Sequence, residues 1–142
     1  RIEITESAVA WKVAFVDNNE IDEMNILRAS VKAMHLALDG LDKAPGFILV
    51  DGNSFYPYKK INHQCVVKGD SIYFSIAAAS VLAKTFRDEY MIKIHEEFPE
   101  YGWNSNKGYG TAKHREALKK YGITPYHRKS FTLIDTQMNL NF

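Results

Sequence analysis

Residues 47–50, Phe47-Ile48-Leu49-Val50, form an unbroken apolar run that stops on Asp51. Bounded by Gly46 before it and Asp51-Gly52-Asn53 after it, such a run predicts a short strand buried on both faces. Asp51 then stands at the C-terminal edge of a sheet. A carboxylate in that position has two readings. Either it bonds its own backbone in an Asp-Gly turn, or it is a reactive group at the edge where open α/β sheets bind ligands.

The flanking patterns place more elements around this strand. Residues 8–17, AVAWKVAFVD, alternate loosely and are rich in Val, Ala and aromatics, which predicts another strand. Asn18-Asn19-Glu20 supply capping groups. Ile21, Met24, Leu27, Val31, Met34, Leu38 and Leu41 then recur every three or four positions, as in one amphipathic helix. The order strand, helix, buried strand is that of a right-handed crossover in a parallel sheet. Residues 52–62 are rich in turn formers and tyrosine, and HQCVVK at 63–68 predicts a further short strand before the break at Gly69-Asp70-Ser71. The longest helical pattern runs from about Ile72 to Phe98, with Leu82, Phe86, Tyr90, Ile94 and Phe98 spaced by four. Its small-residue patch Ala77-Ala78-Ala79-Ser80 predicts burial early in the helix and an amphipathic surface later. Pro99 stops it, and Thr111 is placed to cap a short basic helix that reaches Tyr121-Gly122.

At 142 residues the chain has the size of a single domain. No apolar run approaches the roughly 20 residues that a membrane helix needs, and no signal peptide is visible, so a membrane partner is not expected. Cys65 is the lone cysteine and lies in an apolar run, which indicates a structural thiol, a reducing compartment and hence the cytoplasm. Charge is distributed unevenly. Lys and Arg against Asp and Glu number five to eight in residues 1–50, six to seven in 51–106, and seven to two in 107–142. The basic last block also carries His114, His127, Tyr109, Tyr121, Tyr126 and Phe131, a mixture suited to a phosphate backbone with bases or sugars beside it, or simply to a solvated basic tail.

Asp70, in KGDS, is nineteen positions after Asp51. An Asp just before a helix is ordinarily a cap. Two carboxylates at one sheet edge, however, repel each other unless a cation compensates, and hard divalent ions prefer carboxylates supplemented by waters and substrate phosphates.

Five motifs, VDGN at 50–53, VVKGDS at 66–71, SIAAASVLAKTFRD at 75–88, GYGTAKH at 108–114 and HRKSF at 127–131, occur in this order and at these spacings. The chain thereby closely resembles the bacterial ribonuclease HII family, the type 2 ribonucleases H. NNEIDEMNIL at 18–27 fits as well, and the resemblance covers nearly the whole chain. It implies an α/β, RNase H-like fold, a mixed sheet flanked by helices with a C-terminal helical region. It also implies an endonuclease that cleaves RNA hybridised to DNA and cuts 5′ to single ribonucleotides embedded in duplex DNA. The implied site is an Asp-Glu-Asp-Asp cluster holding two divalent ions, Mg²⁺ or Mn²⁺. Asp51 matches its third member and Asp70 its fourth. Tyr109 matches the tyrosine that packs against the sugar at the ribonucleotide junction. Ser80, Lys84, Thr111, His114 and Arg128 match positions around the site or near phosphates. Lys68 either attracts phosphate or balances Asp70, and His114 either packs or touches substrate. Asp88 reads as an ion-pair partner of a neighbouring basic residue on the helix surface and is left out of the site.

The family pattern also includes an opening strand with Asp-Glu-Ala-Gly-Arg-Gly and a Ser-Lys-Lys-Leu element, neither of which occurs in this sequence. Asp22-Glu23 has no glycine-rich turn after it and is no substitute. The expectation is therefore a single RNase H-like domain over 1–142 that lacks its first strand, with 107–142 as a basic substrate-binding region. Activity should be impaired for want of two carboxylates. The full-length form is expected to be a monomer, and this chain to self-associate through exposed sheet edges. The rival readings are a nucleic-acid-binding module without catalysis and a scaffold that has kept only the fold.

Overall fold

The computed structural model of the chain describes residues 1–130. Phe131 and the residues after it, the end of the 107–142 stretch, lie outside the described residues. The elements in chain order are α1 (Ile2–Ser7), α2 (Asn18–Met24), α3 (Ile26–Asp39), β1 (Ile48–Asp51), β2 (His63–Val66), α4 (Phe74–Glu97), α5 (Trp103–Asn106) and α6 (Ala112–Tyr121), with 3-10 turns at Gly69–Ser71 and Pro99–Tyr101.

The apolar run forms β1 as predicted, but only one of its faces is closed. Ile48 and Val50 are buried while Phe47 is about half exposed. They form a core with Tyr58, against which Met34 and Leu38 of α3 pack together with Phe55, Ile61 and Cys65. β2 lies parallel to β1, pairing Ile48 with His63 through Asp51 with Val66. The parallel partner of β1 is thus the strand that follows it. The link is the irregular segment 52–62, which contains the antiparallel bridge Tyr58–Ile61, and not a helical crossover from residues 8–17. Those residues form no strand: their alternation suits a strand, but a strand exists only where a neighbour completes its ladder, and none does so among the described residues.

The single helix expected from residue 18 is two. Asn25, at φ 76°, breaks it, and the Asn25 side chain then accepts a hydrogen bond from the Arg28 N–H to cap α3. Asn tolerates positive φ better than most residues, and hydrophobic periodicity does not register such a break. Asp17 caps α2 in the same way.

α4 runs nearly as predicted, but burial along it does not follow the small-residue patch. Phe74, Ala79, Ser80 and Val81 are exposed, and the buried positions are Ile76, Leu82, Met91 and Ile94. Its C-terminal half builds a second core in which Met91 and Ile94 meet Tyr101, Trp103, Ala117 and Leu118, with Phe98 and Tyr126 packed against them. Each of these larger side chains contributes about 1.5–3 kcal/mol on burial. Phe98 caps the end of α4 and Pro99 opens the next turn. Thr111 caps α6 by accepting from the His114 N–H, and Gly122 closes it at φ 79°. Among the described residues no helix is long and apolar enough to cross a membrane.

Candidate active site

Because β1 and β2 are parallel and in register, the chain leaves both strands at the same edge. Gly52 N–H donates to the Val66 carbonyl at 2.9 Å, which extends the ladder one residue past Asp51. Two residues beyond β2, Lys68 takes a left-handed conformation at φ 55° and turns the chain into Gly69–Ser71. Gly69 N–H then donates to Asp51 Oδ1 at 2.9 Å. This bond joins the end of one strand to the turn after the other and sets Asp51 beside the segment that carries Asp70. Gly69 is required by close packing, since a Cβ there would stand 2.5 Å from Ile76 Cδ1 and 3.3 Å from Val66 Cβ.

The two ordinary readings of the aspartates do not describe this geometry. Asp51 bonds across to the other strand's turn, not to its own Asp-Gly backbone. Asp70 does not cap α4, whose N-cap is Tyr73 with no side-chain cap bond. Both carboxylates are exposed, and among the described residues neither forms an ion pair. Two hard oxygen donors of this kind fit a divalent cation in type. They fall short in number: among the described residues no group of three or more His, Cys, Asp or Glu is placed to hold a metal ion.

The other predicted residues divide into those at the surface and those inside. Ser80 and Lys84 are exposed one turn apart on α4. Lys84 Nζ lies 2.6 Å from both oxygens of Asp88, and this hydrogen-bonded pairing, opposed by some desolvation, lowers the Asp88 carboxyl below its usual range. Asp88 is thus the helix-surface partner expected of it. Lys68 is exposed beside Asp70. Tyr109 is 66% exposed in the loop before α6. Thr111 is exposed as the α6 cap.

His114, read by resemblance as either packing or touching substrate, lies in the core. Only 6% exposed, it stacks on His127 and borders Tyr101 and Trp103. Its Nδ1 lies 3.1 Å from the Tyr101 carbonyl and its Nε2 3.3 Å from His127 Nε2. His127 Nδ1 accepts from the Thr124 N–H at 2.9 Å, so His127 offers Nε2–H to His114 and His114 offers Nδ1–H to Tyr101. Every ring nitrogen of the pair thus has a partner. Burial, with His114 adding to it, lowers the His127 pKa to about 4.

Arg128 follows this anchored pair and is partly buried. Burial lowers its guanidinium pKa, opposed by Asp22 and reinforced by Arg87. Asp22 on α2 receives the Lys129 N–H at 2.6 Å, the Ser130 N–H at 3.0 Å and the Ser130 hydroxyl, and these bonds lower its carboxyl pKa, the hydroxyl most of all. Asn18 Nδ2 donates to the carbonyls of Pro125 and His127. α2 therefore clamps the turn that carries Arg128.

The model of the family described as ribonuclease HII matches residues 1–134. The chain belongs to the ribonuclease HII family. It is 59% identical to the ribonuclease HII of Christiangramia forsetii over 98% of this chain and 70% of that protein. With the ribonuclease HII of Bacteroides thetaiotaomicron it shares 57% identity over the same fractions. Its fold is similar to that in the crystal structure of the ribonuclease H2 from Pyrococcus horikoshii OT3, with a TM-score of 0.77 at 21% identity, covering 93% of this chain and 70% of that one. Membership places the chain among nucleases, which are hydrolases.

Within this ribonuclease HII-family chain, the contacts of Asp22, Asn18 and Arg87 carry no sequence signal. Asp22 and Asn18 bond residues more than a hundred positions away, and only the folded chain brings them together. Arg87 lies inside the motif SIAAASVLAKTFRD, but its spacing marks it merely as a helix-surface cation, whereas in the structure it meets the loop of Tyr109.

Proposed function

We propose that the chain acts on RNA–DNA hybrids and on duplex DNA bearing single ribonucleotides, cleaving 5′ to the ribonucleotide at the edge that carries Asp51 and Asp70. The observation supporting this reading is that the exposed Asp51, at the end of the parallel strand pair, accepts the Gly69 N–H from the turn that carries the exposed Asp70. Two bound Mg²⁺ or Mn²⁺ ions would supply a deprotonated water and charge stabilisation at the leaving oxygen. Asp51 and Asp70 would hold them, with Lys68, Ser80, Lys84, Thr111 and Arg128 around the phosphates and Tyr109 against the sugar. His114 serves in this reading by packing. Residues 1–142 act as one domain whose stretch 107–142 grips the substrate, in the cytoplasm. A form that also carries the Asp-Glu-Ala-Gly-Arg-Gly strand works as a monomer, while the chain as given associates through the outer edges of β1 and β2.

The test is cleavage of duplex DNA bearing one ribonucleotide, in Mg²⁺ and then Mn²⁺, with and without an added segment containing Asp-Glu-Ala-Gly-Arg-Gly. The expected result is cutting 5′ to the ribonucleotide that depends on the added segment and is abolished by Asp51→Asn. Turnover by the chain alone that survives Asp51→Asn would place the chemistry elsewhere. A second reading, a nucleic-acid-binding module without catalysis, draws on the shortage of a third metal donor among the described residues. It predicts that Asp51→Asn keeps or raises duplex affinity by removing negative charge.

A further inference from the structure

Tyr109 is mostly exposed, and among the described residues its ring has no aromatic neighbour, so the side-chain group that meets it is notable. Arg87 projects from α4 and does two things at once. Its Nη2 donates to the Lys107 carbonyl at 2.7 Å, and its Cζ lies 5.5 Å from the centroid of the Tyr109 ring. The intervening Gly108 is tightly fitted: at φ 83°, a Cβ there would approach Met91 Cε at 3.2 Å and Arg87 Nη2 at 3.5 Å. The backbone beneath is tied down by Asn106, whose Oδ1 accepts from the Gly108 N–H at 2.9 Å and whose carbonyl accepts from the Tyr109 N–H at 2.9 Å. The loop thus has a fixed floor, and Arg87 is the wall on which the ring rests.

An exposed ring that must dock on a sugar loses rotamer freedom as it binds. A cation over the ring face restricts it beforehand. Only a planar guanidinium bonds a carbonyl with one edge while presenting its face to a ring, and an ammonium at the same place does one or the other. We propose that Arg87 is a positioning residue for substrate recognition, holding the Tyr109 loop and ring in the orientation that meets the ribonucleotide sugar. The proposal rests on the reading of Tyr109 given under Proposed function and goes beyond it by naming what sets that tyrosine's geometry.

Two measurements on the full chain test it. The first is amide hydrogen exchange at Gly108 and Tyr109, with Ala117 and Leu118 of α6 as internal controls for the fold. The second is the ratio of affinities for duplex DNA with and without one ribonucleotide, followed by fluorescence anisotropy. Arg87→Met is expected to speed exchange at Gly108 and Tyr109 while leaving the α6 amides protected, and to cut the affinity ratio by roughly tenfold. Arg87→Lys keeps the charge and should fail to restore either. Tyr109→Ala should lower the ratio as much as Arg87→Met, and the double variant no further. Unchanged exchange and an unchanged ratio in Arg87→Met, with the ratio collapsed in Tyr109→Ala, would overturn the role of Arg87, as would full rescue by lysine. If Tyr109→Ala leaves the ratio unchanged, or the unsubstituted chain shows no preference, the reading of Tyr109 fails and with it the substrate-recognition role. The exchange data then report separately whether Arg87 orders the loop.

Discussion

Gly69 has no room for a side chain, and this fixes how Asp51 meets the turn that carries Asp70. A methyl group there would press on the buried Ile76 and on Val66, and would disturb the N–H that Asp51 accepts. Gly69→Ala is expected to destabilise the chain by about 1–3 kcal/mol, measured as a lowered urea midpoint with an unchanged slope. An unchanged midpoint would mean that the turn has more freedom than its contacts indicate. At this scale the sequence is legible where chemistry is local. The four apolar residues before Asp51 place it at a sheet edge, and the i,i+4 spacing of Lys84 and Asp88 announces their pairing. It is illegible where partners are distant. Nothing near Asp22 foretells that its carboxylate receives the backbone of Lys129 and Ser130, and nothing near His114 foretells that its ring meets His127.

The histidine pair belongs to the packing of α6 against the turn around Thr124, and it makes that packing sensitive to pH. His127 has a folded-state pKa lowered from 6.5 to about 4 by burial and by His114. Its unfolded form therefore takes up a proton first as pH falls. The stability tied to the neutral ring is complete above about 6.5, declines between there and about 4, and is exhausted below. With solvent screening allowed for, the loss is on the order of 1–2 kcal/mol. Urea unfolding at steps from pH 7 to pH 4 should show this decline, and His127→Gln should flatten it. A slope unaffected by that substitution would assign the effect to other groups. Elements themselves were readable in proportion to how self-contained they are. α4 and α6 carry their own periodicity, stop signals and, in α6, a cap. The stretch 8–17 has the alternation of a strand, yet a strand needs a neighbour that its own residues do not specify. The break at Asn25 turns on one backbone angle, to which the spacing of apolar residues is blind.

For the whole molecule, charge is the property that reaches furthest. All seven basic residues of the stretch from Lys107 onward fall within the described part of the chain, on and around α6 and the clamped turn. Binding to duplex should weaken linearly with the logarithm of salt concentration, and Arg128→Gln should reduce the slope by about 0.9, the value for one lost phosphate contact. An unchanged slope would remove Arg128 from the phosphate face. The family was legible from the order and spacing of five motifs, none sufficient alone, and the match over residues 1–134 agrees with it. The number of metal donors was less so, because a coordination set is a property of the assembled edge. The claim on which the account rests is that Asp51 and Asp70 act together as a metal-holding edge that engages substrate. It is tested most directly by titrating Mn²⁺ into the chain mixed with duplex DNA bearing one ribonucleotide, for the unsubstituted chain, Asp51→Asn and Asp70→Asn. The account predicts that Mn²⁺ tightens duplex binding in the unsubstituted chain and that either substitution removes this response while the urea midpoint stays in place. A Mn²⁺ response that persists in both variants would contradict it.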